Sequence, residues 1–90
     1  MKSIIITGAS SGIGHATAEV FLDAGWRVGL IARRADRLEA LADRYETAVA
    51  LPADVTDVTG MQAAFEAFGH LDVLFNNAGG FGPAATIAEV

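Results

Sequence analysis

Short runs of apolar residues alternate along this chain with longer segments in which apolar residues recur every three or four positions. Short runs without polar alternation are typical of strands buried on both faces, and the longer segments are typical of amphipathic helices. The pattern predicts four strands separated by three helices. The predicted strands comprise residues 4–6, 26–31, 47–51 and 71–75.

Each helical segment carries an apolar stripe that we expect to face the sheet. Gly25 and Gly69 are placed to end the first and third helices, and Thr56 or Asp57 can cap the start of the third. The predicted buried stripes are Ile13, Ala16, Val20 and Ala24 in the first helix, Ala35, Leu38, Leu41 or Ala42 and Tyr45 in the second, and Val58, Met61, Ala64 or Phe65 and Phe68 in the third.

The strict alternation of strand and helix predicts an α/β fold with a parallel sheet and helices on both faces. Right-handed crossovers place the first three strands side by side, and a Rossmann-type arrangement puts the fourth beside the first, in the order 3-2-1-4. Residues 80–90 are expected to form a loop that leads into a further helix. We therefore expect residues 1–90 to be a partial Rossmann domain whose sheet stops after the fourth strand.

Three glycines, Gly8, Gly12 and Gly14, lie between the first strand and the first helix. A strand that enters a helix through glycines is typical of a phosphate site, because the first helical turn offers unpaired N–H groups and a partial positive charge. The alternative is that these glycines serve only the turn.

Two more polar clusters follow strands of the predicted sheet. Asp54 comes just after the third strand, and residues 76–79 follow the fourth. The carboxyl ends of parallel strands meet at one edge of the sheet, where such folds bind ligands. These clusters therefore favour a ligand crevice between the first and fourth strands.

Composition limits the possible partners. With 52% apolar and 19% charged residues, 90 residues can form one small globular domain. A net charge of −5 argues against nucleic acid as a partner. The absence of cysteine excludes disulfides and thiolate metal sites, and His15 and His70 are too far apart to indicate a metal site. The start of the chain is too short for a signal peptide, so we expect a cytoplasmic protein without a membrane span.

The run Thr7-Gly8-Ala9-Ser10-Ser11-Gly12-Ile13-Gly14 resembles the Thr-Gly-x3-Gly-x-Gly loop of short-chain dehydrogenases/reductases, and Asn76-Asn77-Ala78-Gly79 resembles their second signature. The resemblance covers essentially all 90 residues, which correspond to the amino-terminal part of a longer family chain. It implies hydride transfer between a nicotinamide cofactor and a carbonyl or alcohol. It also implies that Gly8, Ser10, Ser11, Gly12, Ile13 and Gly14 surround the pyrophosphate, that Asp54 and Val55 hold the adenine, and that Asn76, Asn77, Ala78 and Gly79 line the adenosine side.

The residues after the second strand favour NADP over NAD. NAD-binding units usually place an acidic residue at this point, whereas here Ala32 is followed by Arg33 and Arg34. An arginine can bind the 2′-phosphate of NADP through charge-assisted hydrogen bonds. We expect Arg33 to be the main contact, the alternative being that both arginines are solvated surface.

The catalytic Tyr-x-x-x-Lys pair of the family has no counterpart here. The single tyrosine, Tyr45, follows the single lysine, Lys2, in the wrong order and far away. The chain is therefore expected to bind a cofactor but not to reduce a carbonyl alone. Three interpretations stay open: the cofactor-binding portion of an NADP-dependent oxidoreductase, a non-catalytic dinucleotide-binding or interaction module, or an inert fragment. An open edge at the fourth strand would favour self-association or binding to a separate carboxyl-terminal part.

Overall fold

The computed structural model describes residues 1–9, 12–33, 35–76 and 86–89. Strands and helices alternate through most of the chain, as the hydrophobic pattern predicts. In chain order the elements are β1 (Ser3–Thr7), α1 (Gly12–Asp23), β2 (Arg27–Ala32), α2 (Ala35–Arg44), β3 (Ala48–Pro52), α3 (Val58–Phe68), β4 (Val73–Asn76) and β5 (Thr86–Glu89).

The strands form one sheet in the order β3-β2-β1-β4-β5. β1 pairs in parallel with both β2 and β4, and β2 pairs in parallel with β3. The predicted order 3-2-1-4 and the Rossmann-type α/β class are therefore confirmed. The reversal of strand order falls between β1 and β4, so the expected crevice has its place in the fold.

The expectation of a helix near the end of the chain is wrong. Thr86–Glu89 form β5, which pairs antiparallel with β4 and sets Ile87 opposite Phe75. The β-branched residues Thr86 and Ile87 favour a strand, and the edge of β4 offers unpaired backbone groups for it to join. The β4 edge is therefore not open, and the association predicted through it loses its structural basis.

The helices cover both faces of the sheet. The three isoleucines of β1 are fully buried, with Ile4 and Ile6 on one face and Ile5 on the other. α1 and α2 bury Ala18, Leu22, Leu38 and Leu41 against the first face, and α3 buries Ala64 and Phe68 against the second. The prediction of helices on both faces is confirmed.

The predicted buried stripe of α1 is wrong, because its four residues, Ile13, Ala16, Val20 and Ala24, are exposed. The helix instead buries Gly14, Ala18 and Leu22. Apolar or small residues lie around most of this helix. Helical spacing therefore fits both the predicted stripe and the stripe that is actually buried. The small side chains at Gly14 and Ala18 decide between them, because they let the helix lie close to the sheet. In α3, Val58 was likewise expected inside and is 71% exposed.

The end of α1 follows the prediction. Gly25 has a φ of 87°, and its N–H donates to the Leu22 carbonyl at 3.0 Å. The Trp26 N–H donates to the Phe21 carbonyl at 3.0 Å, and the two aromatic rings meet edge to face at 4.8 Å. This is a Schellman cap with its usual apolar contact.

Side-chain hydrogen bonds close the amino edge of the sheet. The Ser3 hydroxyl donates to the His70 carbonyl at 2.8 Å, and the Ser3 N–H donates to the Asp72 carboxylate at 2.8 Å. The His70 ring lies 3.0 Å from the other carboxylate oxygen of Asp72. Nearby, the Arg27 guanidinium donates to the Phe68 carbonyl and lies 4.0 Å above the Phe68 ring. This edge joins the starts of β1, β2 and β4 to the end of α3.

Candidate functional site

The turn after β1 is fastened to the neighbouring strand. Gly8 has a φ of 65°, a left-handed conformation that favours glycine. The next residue, Ala9, is fully buried, and its N–H donates to the Ile31 carbonyl of β2 at 3.1 Å. The chain thus crosses the carboxyl end of the sheet in a fixed position before α1 begins at Gly12.

Gly12 stands at the start of α1 with open space beside it. Its φ lies outside the left-handed region, and an added Cβ would meet no described atom within 4 Å. Neither a left-handed backbone nor packing against a described atom therefore explains a glycine here. A helix start without a side chain permits close approach by a phosphate group, because the first-turn N–H groups have no partner within the helix. Gly14, two residues further into the turn, is buried.

The point where the strand order reverses is bridged by side chains. Thr7 and Asn76 are register partners in β1 and β4, and the Thr7 hydroxyl donates to the Asn76 side-chain carbonyl at 2.9 Å. This contact uses the oxygen of the amide, whose nitrogen carries two further donors. Asn76 is exposed, so these donors face the crevice edge rather than the core.

A cavity of about 360 Å³ lies between α3 and the ends of β1 and β4. Its volume is in the range of small-ligand sites. It contains two predicted site residues, Val55 and Asn76, together with others that sequence reasoning did not single out. The spacing of the α3 residues was a possible signal, because they fall on one flank of the helix. The lining residues are Thr7, Val55, Val58, Met61, Gln62, Phe65, Leu74 and Asn76.

Asp54 is held in a turn by the residue two positions on. One carboxylate oxygen of Asp54 accepts hydrogen bonds from the Thr56 N–H at 2.9 Å and the Thr56 hydroxyl at 2.7 Å. These bonds favour the charged form and lower the pKa of Asp54 below its ordinary value, with a smaller contribution from the positive charge of Arg33. Both of these bonds use the same oxygen, and no hydrogen bond joins a described residue to the other carboxylate oxygen.

The structure brings most of the predicted site to one edge of the sheet. Gly8, Gly12, Ile13, Gly14, Arg33, Asp54, Val55 and Asn76 all lie at the carboxyl ends of β1 to β4 or in the segments that follow them. The remaining predicted residues, Ser10, Ser11, Arg34, Asn77, Ala78 and Gly79, lie outside the described residues. His15 of α1 is half-exposed, with its Nδ1 3.0 Å from the Glu19 carboxylate.

Other kinds of site find little support in the described ranges. Within residues 1–9, 12–33, 35–76 and 86–89, no three histidine, aspartate or glutamate side chains are grouped to hold a metal ion. None of the helices described is long and apolar enough to cross a membrane.

A Rossmann-type sheet with a glycine turn, an aspartate and an asparagine at its carboxyl edge defines a nucleotide-binding α/β protein. The family model described as short chain dehydrogenase matches residues 2–90. The chain therefore belongs to the short-chain dehydrogenase family, whose members are oxidoreductases that bind nicotinamide dinucleotides. The resemblance inferred from the two signatures is confirmed.

Known proteins of the family match most of this chain. A serine 3-dehydrogenase from Agrobacterium fabrum is 44% identical in an alignment of 94 positions, which covers 96% of this chain and 38% of the relative. The crystal structure of a short chain dehydrogenase from Bacillus anthracis superposes with a TM-score of 0.79 at 33% identity, over 88% of this chain and 35% of that one.

A third relative was solved with a cofactor. The 3-ketoacyl-(acyl-carrier-protein) reductase from Brucella melitensis, complexed with NADH, gives a TM-score of 0.70 at 32% identity, over 81% of this chain and 32% of that one. In these three comparisons the present chain spans between 32% and 38% of the relative's length.

Proposed function

We propose that residues 1–90 are the cofactor-binding portion of an NADP(H)-dependent short-chain dehydrogenase/reductase. The observation that carries this proposal is that no described atom lies within 4 Å of a Cβ added to Gly12, at a helix start on the carboxyl edge of a Rossmann-type sheet. Oxidoreductase chemistry on a carbonyl or alcohol is the activity we assign to the full-length protein.

The pyrophosphate would lie over the first turn of α1. The turn fixed by Gly8 and Ala9 leads the chain there, and we assign the hydrogen bonds to the pyrophosphate to the first-turn N–H groups, which need no cationic side chain. Ile13 is 61% exposed beside this position. We assign the pyrophosphate contacts to Gly8, Ser10, Ser11, Gly12, Ile13 and Gly14.

The adenosine half would lie along the segments after β3 and β4. Asp54, held by Thr56, keeps one carboxylate oxygen for the adenine amine, and Val55 is 38% exposed beside it to pack on the ring. Asn76 presents its amide donors from the neighbouring strand. We assign the adenosine side to Asp54, Val55, Asn76, Asn77, Ala78 and Gly79.

The choice of NADP rests on the end of β2. Arg33 is exposed directly after Ala32, where an NAD-binding unit usually carries an acidic residue. Family membership does not decide this question, since the Brucella reductase was solved with NADH. A guanidinium at this position favours a 2′-phosphate over a 2′-hydroxyl, and we assign the contact to Arg33 with Arg34 beside it.

The chemical step requires residues that this sequence does not contain. Transfer of hydride to a carbonyl needs a proton donor near the nicotinamide, and the family uses a Tyr-x-x-x-Lys pair for this. Tyr45 instead donates its hydroxyl proton to Asp23 at 2.8 Å, on the outer side of α1. We therefore propose that residues 1–90 bind the cofactor and do not reduce a carbonyl alone.

Calorimetric titration with NADPH and NADH tests the cofactor assignment. We expect NADPH to bind more tightly than NADH. Arg33→Asp should change the ratio of NADPH to NADH affinity by about tenfold or more in favour of NADH, because it replaces an attractive charge with a repulsive one. Arg37→Asp makes the same charge change within the first turn of α2, and it should leave the ratio of affinities unchanged. Equal affinities in the original chain, or a ratio that Arg33→Asp does not move, would contradict the NADP assignment.

A further inference from the structure

The segments that leave β2 and β3 run side by side at the carboxyl edge. Ala32 and Pro52 are register partners at the ends of these strands, and the Ala53 N–H donates to the Ala32 carbonyl at 3.0 Å. Arg33 and Asp54 each follow this hydrogen bond by one residue. The fold therefore sets a cation and an anion on adjacent segments.

The two side chains differ in how firmly they are held. The Asp54 carboxylate is fixed by two hydrogen bonds from Thr56, and Asp54 is half-buried. Arg33 is exposed on a long, flexible stem. The charges influence one another, because Arg33 contributes to the lowered pKa of Asp54. Asp54 is thus a fixed anion that attracts a mobile cation.

We propose that Asp54, held in place by Thr56, is a specificity-determining residue that weakens the preference for NADP by competing with the 2′-phosphate for Arg33. The inference rests on the proposed function, in which Arg33 contacts that phosphate. It assigns Asp54 a second role besides its contact with adenine.

The adenine contact and the charge effect can be separated. The adenine ring is common to NADP and NAD, so losing its contact weakens both and cancels in the ratio of affinities. The 2′-phosphate brings between one and two negative charges at neutral pH, whereas a 2′-hydroxyl brings none. Asp54 repels only the 2′-phosphate, and only this phosphate has to compete with Asp54 for Arg33. The effect of the Asp54 charge therefore appears in the ratio of the two affinities.

Asp54→Asn removes the charge while keeping the size of the side chain and one carbonyl acceptor. We would measure the binding of adenosine 2′,5′-bisphosphate and adenosine 5′-monophosphate by calorimetry at constant ionic strength. We expect the ratio of affinities to move toward the bisphosphate by about twofold to fivefold, the size of effect typical of charges at a protein surface. Raising the salt concentration should reduce this shift.

Asp57→Asn is the matched control. It removes a carboxylate three residues further on, at the N-cap of α3, where asparagine caps as well as aspartate. Both variants change the net charge by one unit. The control is expected to leave the ratio of affinities unchanged, which separates a local effect from a general change of charge.

A ligand-free measurement tests the coupling directly. The pKa of Asp54 can be followed by NMR of its carboxyl carbon in the original chain and in Arg33→Gln. We expect a higher pKa in Arg33→Gln, because a positive charge that favours the carboxylate has been removed. An unchanged pKa would show that Arg33 and Asp54 do not interact, and would overturn the inference. This result does not depend on the binding experiments.

The outcomes distinguish this inference from the proposed function. If Arg33→Asp changes the NADPH preference but Asp54→Asn leaves the ratio unchanged or lowers it, the role of Asp54 is wrong and the NADP assignment stands. If Arg33→Asp has no effect on the preference, both are wrong. A ratio that rises equally in Asp54→Asn and Asp57→Asn would also overturn the inference.

Discussion

The two edges of the sheet use their polar groups in opposite ways. At the amino edge, Ser3, His70 and Asp72 bond to one another, and Arg27 bonds to the end of α3. At the carboxyl edge, no described atom lies within 4 Å of a Cβ added to Gly12, and both hydrogen bonds from Thr56 use the same carboxylate oxygen of Asp54. We propose that the polar groups of the amino edge mainly stabilise the fold, whereas those of the carboxyl edge also serve a ligand. Substitutions at the two edges should therefore affect different measurements.

The largest effect is expected from Gly12→Ala. The added methyl group would stand where we place the pyrophosphate and would hinder hydrogen bonds to a charged group, each worth about 1.5–3 kcal/mol. We expect NADPH binding to weaken about tenfold or more. Folding stability should be unchanged or higher, because alanine suits a helix start and reduces the freedom of the unfolded chain. Calorimetry and thermal unfolding of the same sample measure the two effects.

Gly25→Ala is the matched control for this variant. An added Cβ at Gly25 also meets no described atom within 4 Å, but the φ of 87° is strained for alanine. We expect a loss of about 1–2 kcal/mol of folding stability with NADPH affinity preserved. Both variants add one methyl group where no described atom is close. If Gly25→Ala weakened NADPH binding as much as Gly12→Ala, the two glycines would not differ in the way we expect.

Next in size is Arg27→Met at the amino edge. Methionine keeps an apolar stem but loses the hydrogen bond to the Phe68 carbonyl and the contact between cation and ring. We expect the free energy of unfolding to fall by about 1 kcal/mol. NADPH affinity should not change. Arg27→Lys, which keeps the charge, should lose less stability, and a loss of cofactor binding in Arg27→Met would show that the edges are not independent.

The smallest effect is a pH dependence at Asp72. Hydrogen bonds from the Ser3 N–H and from His70, in that order, lower the pKa of Asp72 below its ordinary value. Because the pKa is lower in the folded state, the ionised carboxylate stabilises the fold above the ordinary pKa of 3.8. This stabilisation is lost as the pH falls through the folded-state pKa. The stability advantage of the original chain over Asp72→Asn should therefore shrink on acidification below about pH 4.

Urea unfolding at a series of pH values measures this advantage. Asp43→Asn, which removes an exposed carboxylate near the end of α2, is the charge-matched control. An advantage of the original chain over Asp72→Asn that grows on acidification would have the wrong sign for this explanation.

The sequence predicts the order and type of the first seven elements because short apolar runs and helical spacing differ clearly. It does not predict which flank of α1 is buried. Ile13 and Val20 are more apolar than Gly14 and Ala18, yet the smaller residues face the sheet, because closeness of packing outweighs hydrophobicity there. The sequence does not predict β5, because four residues with a polar residue at each end are too short to show a period. Their strand structure depends on pairing with β4.

The candidate site divides in the same way. The glycine turn and Asp54 are predictable because glycine and aspartate have local signatures at strand ends. The anchoring of Ala9 to Ile31 and the bond between Thr7 and Asn76 join residues far apart in the chain, so local patterns cannot reveal them. The nearness of Arg33 to Asp54 likewise depends on the pairing of β2 with β3.

Amide chemical-shift mapping during a titration with NADPH tests the central claim most directly. We predict that the signals of Gly8, Gly12, Arg33, Asp54 and Asn76 move as NADPH is added, and that those of Ser3, Arg27 and Asp72 do not. Saturable binding that moves the amino-edge signals while Gly8 and Gly12 stay fixed would contradict the account.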